Sequence, residues 1–176
     1  MNKLILACVI LLSACTSMNQ ALSPSLQVQK NDFDGTMEII QPEVSAASSL
    51  SEAYHTLGFK WSAKKPDSVF LYVGVYGIES IRGVAFNLDG NIIESTTKIG
   101  LTDIDLGHTE FVSLPNRSMA TFVMPLNDFK KLAASNLVKM KVEMGNSYSV
   151  SSFGKNTGAV VSPKLVLFTT EVDKYL

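Results

Sequence analysis

The feature that most constrains this chain is a period-two alternation of apolar and polar residues, repeated along most of its length. In 137–144, Val138, Met140, Val142 and Met144 alternate with Lys139, Lys141 and Glu143. Leu57, Phe59 and Trp61 alternate with Gly58, Lys60 and Ser62. A helix cannot gather such residues on one side, whereas a half-buried strand must. Further strands are predicted at 36–40, 118–124 and 147–153, the last after a tight turn at Gly145-Asn146. The segment 69–76 (VFLYVGVY) is apolar on both faces and predicts a central strand covered on both sides. Segments 81–88 and 92–99 flank Asp89-Gly90, a dipeptide suited to a type I′ hairpin turn because both central residues need positive φ.

Two stretches carry helical spacing instead. Residues 125–135 place Leu126, Phe129, Leu132 and Ala133 on one stripe, with Asn127 as N-cap and Asn136 as exit. Residues 162–176 place Leu165, Phe168, Val172 and Tyr175 on one stripe, with Ser162 as N-cap and Pro163 at the first helical position. The fold class is therefore α+β: a mostly antiparallel sheet or sandwich of about seven to eight strands with one or two packed helices, one of them C-terminal. A β-sandwich with incidental helix is the alternative. Residues 41–51 (QPEVSAASSLS) read as a Ser/Ala-rich loop with a helical turn near 50–54. Length allows a single domain, placed at 32–176.

The amino terminus has a different character. Lys3 precedes an apolar run, 4–12, and then Ser13-Ala14-Cys15. A basic start, a short apolar middle and a small-residue end make an export signal; the run is too short for a bilayer span, which needs roughly 20 residues. Leu12-Ser13-Ala14-Cys15 resembles the lipobox of bacterial lipoproteins. The resemblance covers residues 1–15 and implies that 1–14 is removed and that Cys15 carries the lipid. The thiol suits that chemistry because its thiolate is a strong nucleophile. Cys8 would leave with the signal. In Gram-negative lipoproteins Asp after the Cys favours the inner membrane; Thr16 here implies the outer membrane, facing the periplasm. Residues 15–31 then read as a polar, flexible tether reaching up to about 50 Å.

Composition narrows the partners. Fifteen Lys plus Arg against sixteen Asp plus Glu leave a net charge of −1, which argues against nucleic acid. The membrane, through the lipid, and an envelope protein are the expected partners. With two Cys, one in the signal, the mature chain can form no intrachain disulfide. No phosphate-binding glycine loop is present and no cofactor is implied.

The weak constellations are few. Asp103, Asp105 and His108, with Glu110 behind, form a DxDxxH stretch able to ligate a divalent ion if the two Asp share a strand face. His55 or His108 could serve as a base, but no G-x-S-x-G elbow supplies a nucleophile. Lys60, Lys64 and Lys65 lie near Trp61 as a candidate anion or sugar grip. Tyr54, Phe59, Trp61, Tyr72 and Tyr76 are expected to fill the core unless several line one groove. No catalytic residue is assigned. The chain is expected to work by binding, as an interaction or support module of the envelope. A tethered small-ligand binder is the second reading, and a metal-dependent or hydrolytic enzyme the third.

Overall fold

A computed structural model describes residues 23–94, 96–106 and 115–176. Its strands are β1 (Gln27–Lys30), β2 (Met37–Ser45), β3 (His55–Ser62), β4 (Ser68–Tyr76), β5 (Ile81–Leu88), β6 (Asn91–Ile93), β7 (Thr97–Asp105), β8 (Arg117–Pro125), β9 (Val138–Met144) and β10 (Ser147–Phe153). Its helices are α1 (Leu126–Ala134) and α2 (Val161–Val172). One sheet has the order β1-β2-β3-β4-β8-β7 and the other β10-β9-β5-β6. Every pairing is antiparallel. The class is α+β, as expected, with ten strands among the described residues rather than seven or eight.

The alternation decides which faces meet. Leu57, Phe59 and Trp61 of β3, Leu71 and Val73 of β4, and Phe122 and Met124 of β8 are buried on one face of the large sheet. Phe86, Met140 and Val142 are buried on the small one, and all join one continuous core. The helices use the same face of the large sheet. Phe59, Phe129 of α1 and Phe168 of α2 meet edge to face, with centroids 4.9–5.3 Å apart, a geometry that aromatic quadrupoles favour.

The Asp89-Gly90 turn forms as expected, with φ 51° and 101°. The strand after it does not run to residue 99. β6 ends at Ile93, the Thr96 hydroxyl donates to the Val84 carbonyl at 2.6 Å, and the chain then enters the other sheet as β7.

Other expectations are corrected. Residues 41–45 belong to β2, whose register slips between Gln41 and Val44. Pro42 lies in that bulge, where a missing N–H removes no ladder bond. Only a turn occupies 50–51. Part of the expected tether is ordered: Gln27–Lys30 pair with β2. Asn127 does not cap α1; Pro125 is at the N-cap, and the Leu126 N–H donates to the Asp67 carbonyl. Ser162 lies inside α2, where its hydroxyl accepts from the Gly154 N–H at 3.0 Å. Pro163 is still in the first turn, where a missing N–H costs nothing. Tyr175 lies beyond α2 and is exposed, unlike Leu165, Phe168 and Val172. β4 is central, but only one of its faces is sealed; Phe70 and Tyr72 on the other are half-buried.

Gly154 joins β10 to the α2 region at φ 129°, and a Cβ there would lie 2.5 Å from the Asn136 carbonyl oxygen. Backbone cannot yield as a side-chain end can. Gly154→Ala is expected to cost at least about 2 kcal/mol, read as a fall in the urea midpoint. An unchanged midpoint would contradict this reading.

Candidate functional site

The open face of the large sheet contains a hollow of about 630 Å³. Register places Lys60, Tyr72, Thr121 and Met119 around it, with Asp103 and Arg117 at its ends. Two glycines shape it. A Cβ on Gly58 would lie 3.0 Å from the Glu43 backbone nitrogen, and one on Gly74 would lie 2.2 Å from the Thr56 hydroxyl. Both glycines thus make room for the β2 bulge and the Glu43 side chain.

Glu43 is largely buried and pairs with Arg117 at 3.3 Å. Burial pushes its carboxyl above the ordinary value, opposed by the Arg117 charge and the Thr56 hydroxyl. Its Oε1 is sealed from solvent and forms no well-shaped hydrogen bond. Nearby, Lys60 pairs with Glu38 at 2.9 Å and holds that carboxyl below its usual range. Thus both cations, and the carboxylates of Glu38 and Glu43, are matched within the chain. The hollow presents a shaped surface, with Tyr72 and Met119 as its apolar part, rather than a poised acid–base pair.

Asp103 and Asp105 share a face of β7, as their spacing predicts, opposite Met119 and Arg117. His108 and Glu110 lie outside the described residues, as do Cys8, Cys15 and Thr16. Among the described residues no group of three His, Cys, Asp or Glu side chains is gathered for a metal ion. The three lysines form no joint patch at Trp61. Lys60 and Lys64 pair with Glu38 and Asp34, and Lys65 lies 5.9 Å over the Phe70 ring. Trp61 is in the core and donates to the Pro66 carbonyl at 2.9 Å. The aromatic set divides as well. Phe59 and Trp61 are buried, Tyr72 faces the hollow, and Tyr54 stacks on Tyr76 at 4.6 Å on the surface.

One polar cluster escaped the sequence reading. His55 opens β3, is 1% exposed, and points across the core to β10. Its Nδ1 is 2.8 Å from the Ser151 hydroxyl and its Nε2 2.7 Å from that of Ser149. Beside it, Glu52 accepts from the backbone and hydroxyl groups of Ser48 and Ser152. Burial lowers the His55 pKa to about 4, with the Glu52 charge acting weakly the other way. The imidazole is therefore neutral near pH 7. A serine lies within reach of a base here, but both ring nitrogens face serines, so no carboxylate orients the ring as a triad requires. The hollow beside Tyr72 does not reach the pair. The cluster ties the two sheets together. Its one legible trace is the alternation of Ser147, Ser149 and Ser151 along β10.

Among the described residues, the far edge of the large sheet is β7, which pairs with β8. Ile99, Leu101, Ile104 and Leu106 are 44%, 87%, 49% and 51% exposed there. Gly100, at φ 71°, sits in a bulge that slips the register between Ile99 and Asp103 and turns Leu101 outward. An edge strand with exposed aliphatic side chains is a template for another strand. No protein-family model matches the chain and no curated protein matches it, so the functional reading rests on these residues.

Proposed function

We propose that this protein is a bacterial lipoprotein, held through Cys15 on the outer membrane with its body facing the periplasm, and that it acts by binding an envelope protein rather than by catalysis. The export layout of 1–14, the lipobox-like ending at Cys15 and Thr16 after it support the anchor and its location. The observation that carries the binding role is the β7 edge, whose exposed Leu101, Ile104 and Leu106 offer both strand pairing and apolar contact. Two or more acyl chains hold a protein stably, at about 0.8 kcal/mol per buried CH₂. Such a module would therefore meet partners in one plane.

Two measurements test this. Labelled palmitate should enter the wild type and not Cys15→Ser; equal labelling in both would end the anchor. Affinity capture from solubilised membranes should yield a partner that is lost, by about tenfold or more, with Leu101→Lys plus Ile104→Lys, since strand addition does not bury unpaired charge. Undiminished capture by that variant would remove β7 from the role.

A further inference from the structure

Helix α2 contains only two charged residues, Lys164 and Glu171. Val161, Leu165, Phe168 and Val172 are buried. At about 100° per residue, the opposite side carries Pro163, Val166, Leu167 and Thr170, and all four are exposed. A surface helix ordinarily turns its charged residues to solvent. This one turns an uncharged face outward, with Val166 and Leu167 44% and 54% exposed and Val160 just ahead at 42%. The face continues into a hollow of about 670 Å³ lined by Val160, Pro163, Leu167, Ser23 and Lys164, whose ammonium is bonded to the Pro24 carbonyl.

The described chain begins at this same place. The Pro24 carbonyl accepts from Gln41 Nε2 and Lys164 Nζ, each at 3.1 Å. These bonds tie the start of the body to β2 and to α2. Eight residue steps separate Cys15 from Ser23, a span of at most roughly 26–29 Å. The reach is about half that expected of a tether running to residue 31, because 27–30 are paired in the sheet.

We infer that the uncharged face of α2, with Val160 and the Ser23 hollow, rests on the bilayer that holds the Cys15 lipid; this rests on the lipid-anchor reading above. The occupant is a lipid surface because a short leash leaves the body at this face, and apolar side chains without charge suit the headgroup–acyl boundary, where such helices lie about 5–10 Å deep. The binding edge would stay in water. α2 packs on β2, and β7 is four strand positions from β2, roughly 19 Å at the usual spacing.

The test uses the lipidated full-length protein in phosphatidylethanolamine–phosphatidylglycerol vesicles. With Cys15 bonded to lipid, Leu167→Cys offers a thiol for an environment-sensitive fluorophore, and Leu101→Cys offers the control. Lipids brominated near the headgroup should quench the label at 167 by about twofold or more and leave that at 101 unchanged. Lack of quenching at 167 in protein whose mass includes the lipid would overturn the inference and leave the anchor standing. A label at 167 shielded from water but unquenched, in proportion to protein density, would mean that a second copy covers the face, and would overturn it too. A mass showing an unmodified Cys15 would overturn both readings at once.

Discussion

Phe168→Ala is expected to lower the unfolding free energy by about 3–5 kcal/mol, the usual cost of removing a buried aromatic ring. Phe168 is fully buried and touches both Phe59 of β3 and Phe129 of α1 edge to face. Truncation would lose two aromatic contacts and open a cavity at the junction of a sheet and two helices. The neighbours cannot close it easily, because Phe59 is fixed in the β2–β3–β4 ladder. Leu165 and Val172 remain to hold α2, so the helix should loosen before the sheets separate. Urea unfolding followed by Trp61 fluorescence measures the loss, and hydrogen exchange in 161–172 should accelerate first. A loss below about 1 kcal/mol would mean that α2 packs independently of the aromatic trio.

Acid should weaken the fold through His55, starting above the range in which ordinary carboxylates protonate. The His55 pKa is lowered from 6.5 to about 4. The unfolded chain therefore binds a proton over that interval that the folded chain refuses. Stability from this group is fully present above pH 6.5 and declines as pH falls towards 4, by about 3 kcal/mol in all. The cause is burial between the sheets, and protonation would place a charge at the Ser149–Ser151 contact. The chain has only two His. Chemical denaturation at pH 7.0, 6.0 and 5.0 should show a fall in stability with acid that His55→Gln reduces. A slope unchanged by His55→Gln would refute the assignment. Glu38 and Glu52, whose carboxyls are lowered by Lys60 and by the Ser48 and Ser152 groups, add their own acid losses only below about pH 4.5.

The legible parts of the fold are those fixed by near neighbours. Val138, Met140 and Val142 announce their strand because their other face is wet, and Asp89-Gly90 announces its turn because positive φ is a local demand. β1 left no pattern because four residues are too few to show one. The helix starts misled because Ser162 answers to Gly154 across a loop instead of to its own helix. The proposed anchor, Cys15, is legible because it ends a contiguous motif. The β7 edge is not, since exposure of Leu101 depends on which strand lies outermost, a fact decided by pairings across the whole sheet. His55 and Ser149 are 94 residues apart, and neither implies the other.

The two margins of the large sheet are unlike. β1 presents Gln27, Val28, Gln29 and Lys30, all exposed and mostly polar, on a four-residue stub, whereas β7 is nine residues long with aliphatic side chains. Head-to-tail polymerisation needs two adhesive margins of opposite kind, and a short polar rim bearing lysine discourages one of them. Were a guest strand to add at β7, as proposed, growth along this sheet would therefore stop after one addition, at one guest strand or one closed pair of like subunits.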